Sequence, residues 1–224
     1  MSAPPRPTRP VVVWDLPTRV FHWTVVGAVL LGWLTAEAPG IWFALHKLAG
    51  FVILVALLFR VVWGIGGSRH SRFSDFIYSW PAVRAQVADA IRLRARPHVG
   101  HTPAGGWMIV ALLLTLATIA ISGLFAAARD VAGPLAAVLP AALSHLAKEV
   151  HETAFNILLF LVVVHVCGVV AEAALTGARL VRAMWTGRKD LTPEQAAGEG
   201  RLVAVRWAVA AAVAAAVLVL GAFG

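Results

Sequence analysis

Four histidines of this 224-residue chain sit inside long apolar runs: His22, His46, His151 and His165. An ionisable side chain is costly in a hydrocarbon layer, so each is a candidate for function. Neutral imidazole can ligate a metal, pass a proton or pack as a hydrogen-bonded ring. A lone intramembrane histidine is more often the last of these. Spacing separates the uses. His151 and His165 are fourteen residues apart, which on one α-helix is about 21 Å of rise and a return to within about 40° of the same face. One helix therefore offers two inward imidazoles, one near each membrane surface. The same interval separates His46 from Arg60, and Gly50 follows His46 by four residues.

The elements that must position these groups are membrane helices. The hydrophobic fraction is 60% and the mean hydropathy +0.81, above the usual apolar share of about half. Apolar stretches cover roughly 18–37, 42–66, 105–127, 151–175 and 202–223, each near or above the ~20 residues a helix needs to cross a bilayer. The expected fold is all-α: a four-helix transmembrane bundle followed by a fifth, C-terminal transmembrane helix without histidine. The expected organisation is a cytoplasmic N-terminal arm over 1–16, a four-helix domain over 17–190, and a linker plus extra helix over 191–224. Ala36-Glu37-Ala38 mimics a signal-peptidase site. His22, several tryptophans and a proline-rich lead speak against a cleaved leader.

Charge sets the orientation. The formal net charge is +8. Basic residues gather in the arm (Arg6, Arg9, Arg19), in the second connection (Arg69, Arg72, Arg84, Arg92, Arg94, Arg96) and in the fourth (Arg179, Arg182, Arg188, Lys189). The first connection (Glu37, Lys47) and the third (Arg129, Asp130, Lys148, Glu149) are nearly neutral. The positive-inside rule then puts the N-terminus in the cytoplasm and the C-terminus outside. The charge is thereby accounted for without nucleic acid, because it flanks apolar spans instead of forming a soluble basic face.

This topology pairs the histidines. His22 lies near the inner surface at the start of the first helix, and His165 lies toward the same surface near the end of the fourth. His46 and His151 begin the second and fourth helices at the outer side. Each pair could hold the iron of one haem from both faces, and bis-histidine ligation leaves no open position, which suits electron transfer. Arg60 would sit near the inner surface, where it could pair bidentately with a haem propionate or snorkel to the headgroups. Gly50 would let a flat macrocycle approach, or serve helix packing.

The remaining candidates carry less. The single cysteine, Cys167, rules out an intrachain disulfide and a four-thiolate iron–sulfur cluster, and no C-x-x-C-H motif is present for covalent haem. His101 reads as interfacial; His70, His98 and His145 fall in connections and read as solvated. The nine tryptophans mostly fall near span ends, as an anchoring belt would. Residues 141–149 could form a short helix on the outer surface, and 82–95 a stretch along the inner headgroups.

The chain resembles the bacterial di-haem cytochrome b family, which includes the cytochrome b subunits of nickel–iron hydrogenases. The marks are Val13-Trp14-Asp15-Leu16-Pro17-Thr18-Arg19-Val20-Phe21-His22-Trp23, His46 with Gly50, and Arg60-Val61-Val62-Trp63-Gly64 running to Gly67-Ser68-Arg69-His70. Further on come Gly100-His101-Thr102-Pro103-Ala104-Gly105-Gly106, His151-Glu152, His165, and Leu180-Val181-Arg182-Ala183-Met184-Trp185-Thr186-Gly187-Arg188-Lys189. The resemblance covers about 11–190. It implies two haem b groups on His22, His46, His151 and His165, a four-helix core, and electron exchange with a quinone. The family's Gly-His is usually followed by Asn-Pro; here Thr102-Pro103 stands, so polar contacts to a quinone are not carried over at this position.

These readings together describe an electron-transfer subunit in a bacterial inner membrane. It would pass electrons between the quinone pool and a periplasmic or membrane-anchored partner, such as a cytochrome c or a hydrogenase or dehydrogenase subunit. The apolar outer connection 126–149 is the expected docking surface. Two rivals stand beside it: a stand-alone superoxide:quinone oxidoreductase on the same scaffold, and a non-redox transporter using its histidines for protons or metal ions.

Overall fold

A computed structural model describes residues 7–36, 39–94, 97–128, 131–197, 199 and 202–223. The Ala36-Glu37-Ala38 step and the charges at Arg6, Glu37, Arg96, Arg129 and Asp130 fall wholly or partly outside them. The long helices are α1 (Leu16–Thr35), α2 (Ile41–Gly66), α5 (Pro103–Phe125), α6 (Ala141–Thr176) and α9 (Val205–Phe223). Between them lie the short helices α3 (Phe73–Phe76), α4 (Trp80–Ile91), α7 (Leu180–Thr186) and α8 (Pro193–Ala197) and the strand β2 (Arg188–Leu191), and the strand β1 (Arg9–Val12) precedes α1.

Local chemistry explains the helix starts. Asp15 caps α1 by accepting the Thr18 amide at 3.0 Å, with Pro17 in the first turn. Thr102 caps α5 by accepting the Gly105 amide at 3.1 Å, and Pro103 follows at once. Both helices therefore begin about two residues before the apolar run. A larger difference lies in α6. The segment 141–149 is not a separate surface helix; it is the first part of one 36-residue helix. No glycine or proline interrupts 141–167, so nothing stops the turns from propagating. At about 54 Å, α6 outruns a hydrocarbon layer of about 30 Å.

Helices α2, α5 and α6 are each long and apolar enough to cross a membrane, and α9 is a shorter apolar helix over Val205–Gly221. The fourth bundle member, α1, has its hydropathy diluted by Pro17, Thr18, Arg19 and His22. One packed layer takes residues from all four bundle helices: Ala28 of α1, Ile53 of α2, Leu116, Ile119 and Ala120 of α5, and Ala154 and Leu158 of α6. Outside this layer, large apolar side chains such as Leu34, Ile65, Leu114 and Phe160 are exposed, a surface that only lipid covers at low cost. The fifth helix is not free of the bundle. Ala208 of α9 is buried against Phe59 and Trp63 of α2.

The end of the bundle where α1 begins carries an addition that hydropathy does not announce. Strand β1 pairs antiparallel with β2, from Arg9 opposite Leu191 to Val12 opposite Arg188. The amides of Val13 and Trp14 then both donate to the Gly187 carbonyl, at 2.8 and 3.0 Å. Gly187 turns at φ +79°, and a Cβ there would strike the Trp14 carbonyl at 2.5 Å. The N-terminal arm is thus stitched to the chain leaving α7.

Candidate functional site

The structure brings the rings of His46 of α2 and His151 of α6 together at the end of the bundle where α2 begins. Their ring centroids are 6.0 Å apart, with planes at 66°. Metal–imidazole bonds are about 2.0–2.1 Å; adding about 1.1 Å from nitrogen to ring centre, two rings on opposite sides of one metal sit about 6.2 Å apart. Each ring is locked by its other nitrogen. His46 Nδ1 lies 2.8 Å from the Gly32 carbonyl oxygen, and His151 Nδ1 lies 2.8 Å from that of Ile119. A carbonyl can only accept, so both Nδ1 atoms carry the proton and both Nε2 atoms keep a lone pair. This is the outer contact that typically orients a metal-binding imidazole.

Glycine is required at one of these contacts. Ile119 and Gly123 lie one turn apart on α5, and a Cβ on Gly123 would come within 2.9 Å of His151 Cε1 and Nδ1. On α1 it is Gly32 itself whose carbonyl is used. A cavity of about 640 Å³ adjoins the pair, lined by both histidines, by apolar residues including Ala28, Leu54 and Leu116, and by Gly50. A Cβ on Gly50 would meet nothing within 4 Å, so this glycine is not required by a neighbouring helix. Its missing side chain widens the cavity.

At the opposite end of the bundle His22 of α1 and His165 of α6 come within electrostatic range of one another. Neither ring makes a hydrogen bond among the described residues, and His22 Nδ1 is buried without a partner. Four imidazoles thus stand in two pairs with nitrogens to spare. Among the described residues no group of three or more His, Cys, Asp or Glu could hold a bare metal ion. A pair of imidazoles supplies two ligands, half of what a tetrahedral protein site needs. The donor set suits a metal that arrives with its own equatorial ligands, as in haem.

Arg60 is neither at the headgroups nor on the cavity. It is 4% exposed, donates to the Ser71 carbonyl at 2.9 Å, and lies over Phe73 and Phe76 at 4.9 and 5.5 Å from the ring centres. Beside it Asp15 does more than cap α1. Its Oδ2 accepts from Trp63 Nε1 at 2.9 Å and from the Ser71 hydroxyl at 3.2 Å. This knot joins the start of α1, the end of α2 and the following loop beneath His22. Sequence reasoning passed over Asp15, although Asp15-Leu16-Pro17 carries an N-cap signal; its second role, toward Trp63 and Ser71, needed the fold.

The connections are less wet than expected. His70 is 6% exposed, held between Asp75 (2.7 Å) and Glu199 (2.8 Å), so it is not solvated. Trp14 and Trp63, at 6% and 2%, are buried and are not belt anchors. His101 packs between Trp14 and Phe76, and burial with nearby Arg60, Lys189 and His70 pushes its pKa down to about 3. Lys189 donates to the carbonyls of Val99 at 2.7 Å and His98 at 3.2 Å, and burial lowers its pKa to about 8.

Neither the curated proteins nor the solved structures contain a significant match to this chain. Residues 13–187 match the family model of the prokaryotic cytochrome b561. The matched region begins at the buried Val13-Trp14-Asp15 corner, ends at the Gly187 turn that receives it, and contains all four paired histidines. The chain belongs to the prokaryotic cytochrome b561 family, as a multi-pass membrane protein that binds haem b and transfers electrons.

Proposed function

We propose that the protein is a di-haem b-type cytochrome of a bacterial inner membrane, carrying electrons between a redox partner on the periplasmic side and quinone near the cytoplasmic side. His46 with His151 holds the outer group and His22 with His165 the inner one. The observation that carries this reading is the outer pair: two opposed imidazoles, each with Nδ1–H given to a backbone carbonyl and Nε2 left basic. Bound there, haem b supplies a one-electron Fe(III)/Fe(II) couple.

The chain's own residues do the rest. The carbonyls of Gly32 and Ile119 hold the ring tautomers and raise their basicity. The layer of Ala28, Ile53, Leu116 and Leu158 excludes water between the two depths. Fourteen residues of α6 set the two pairs about 21 Å apart along the axis, a span that edge-to-edge transfer between macrocycles shortens. The Asp15–Ser71–Trp63 knot braces the inner end. The N-terminus faces the cytoplasm, supported by the basic arm and inner connections. In this division 17–190 is the haem domain and 191–224 the linker and added helix. The partner docks on the outer connection, where Val138, Leu143 and Leu146 are exposed.

The test is haem quantification by pyridine haemochrome on purified protein, with each histidine replaced in turn. Two haems per chain are expected, one lost on changing either member of a pair. Loss of the same haem from His22 and His46 variants would overturn the pairing, and a colourless protein from haem-replete cells would overturn the function. A Val138→Glu substitution should stop reduction by the partner with the spectrum unchanged. Reduction of quinone by superoxide without any partner would favour the stand-alone oxidoreductase instead.

A further inference from the structure

The lining of the outer cavity is charged at one end only. Its basic side chains are Lys47 and Lys148, its acidic one is Glu152, and the remainder is largely apolar. Lys47 follows His46 directly on α2, with its Nζ 5.5 Å from the Phe43 ring centre. Among the described residues it has no carboxylate partner. Lys148 precedes His151 by three residues on α6 and pairs with Glu152 at 2.5 Å. Both cations therefore sit on the turns that carry the two outer imidazoles, while the opposite wall is the closed layer of Ala28, Ile53, Leu116 and Leu158. A ligand entering this space meets hydrocarbon at one edge and ammonium groups at the other.

Haem b is itself a molecule with one greasy edge and one edge bearing two carboxylates. We propose that Lys47 and Lys148 bind the propionates of the outer haem and so orient it, carboxylates toward the outer surface, with Glu152 as a counter-charge that limits the grip of Lys148. The inference rests on the assignment of a haem to His46 and His151. It differs from the expectation for Arg60, whose guanidinium is already engaged by Ser71, Phe73 and Phe76 at the far end of α2.

Placement of charge here has a sign that a packing role lacks. A cation near the iron favours the less positive, reduced state, and an anion disfavours it. Lys47→Gln and Lys148→Gln should each lower the midpoint potential of one haem, and Glu152→Gln should raise the same one. A unit charge at this range is worth up to about tenfold in the reduced-to-oxidised ratio, about 59 mV for a one-electron couple, with a smaller shift for the more exposed Lys47.

The experiment is a spectroelectrochemical titration of the full-length protein in detergent, wild type and variants, with haem counted in each. Opposite shifts of one haem, the other unmoved, with Lys→Arg at either position restoring the wild-type value, establish the assignment. Two haems present with both potentials unmoved by all three variants would overturn it and leave the histidine pairing standing. If a Lys→Gln variant loses the haem, Lys→Arg decides: recovery supports a charge contact, and continued loss refutes it. The double variant His46→Ala/His151→Ala should retain only one haem, which confirms that the haem being read is the outer one. Retention of two would sink the pairing itself.

Discussion

Consider Gly123→Ala. Gly123 lies on the face of α5 that touches His151, and the new Cβ would stand 2.9 Å from two ring atoms, where ordinary contact begins near 3.4 Å. The ring must therefore retreat by about half an ångström. It cannot do so freely, because His151 Nδ1 is tied at 2.8 Å to the carbonyl of Ile119 on the same helix. That carbonyl also takes the Gly123 amide in regular α-helical pairing. The substitution pushes the imidazole off its orienting acceptor and turns Nε2 away from its partner. Losing such an outer contact typically costs about 10–100-fold in metal-site affinity, about 1.4–2.7 kcal/mol. In the same variant, exchange of a helical glycine for alanine favours the helix itself by about 1 kcal/mol. The expected phenotype is thus divided: a helix no less stable, and the haem proposed for His46 and His151 loosened. Pyridine haemochrome counts, with dilution-driven haem loss followed by absorbance, read the first effect, and circular dichroism reads the second. Gly32→Ala is the matched control, since its Cβ would meet only ordinary contacts at 3.7 and 4.0 Å. Full retention of both haems in Gly123→Ala, at wild-type dissociation rates, would refute the account of how His151 is held.

Three further outcomes follow from the same geometry. Gly50→Leu fills open space and meets no protein atom at its Cβ, so it should leave helix content unchanged while lowering outer-haem occupancy; equal occupancy by haemochrome would remove Gly50 from the site. Asp15→Ala deletes an N-cap and leaves Trp63 and Ser71 donors buried, for a loss of roughly 2–4 kcal/mol, whereas Asp15→Asn keeps one of the two accepting oxygens and turns an amide NH2 toward the donors at the other, so it should lose only part of this; thermal unfolding in detergent distinguishes them. His101 is neutral in the fold down to about pH 3 but titrates near 6.5 when unfolded. Between those values the unfolded chain binds a proton that the folded one refuses, so stability falls as pH drops through that window. His101→Gln should flatten the fall, measured as unfolding midpoint against pH.

Much of the bundle could be read from hydropathy because a membrane helix is a long-period signal. Each span needs about twenty apolar residues, and single polar residues inside it stand out. Pairing the histidines needed only the direction of each helix and a rise of about 1.5 Å per residue. The same simplicity failed at the end of the bundle where α1 begins. His70 and Trp63 looked peripheral because they lie at the edges of apolar runs, yet Asp75, Glu199 and Asp15 bury both with satisfied hydrogen bonds. Those partners lie between 5 and 129 residues away, and no local period records such distances.

The apolar runs, the placement of basic residues and the four intramembrane imidazoles thus determined by themselves that the chain crosses a membrane, as an all-α bundle with imidazoles at two depths. Burial and periodicity act along one helix, and a linear chain displays them directly. Which carbonyls fix the tautomers of His46 and His151, that Gly123 must lack a side chain, that Arg60 is enclosed by Phe73 and Phe76, and that two lysines share one cavity were decided only by tertiary packing. Each is a contact between helices, and its strength depends on rotation and distances of a few tenths of an ångström that no single helix specifies.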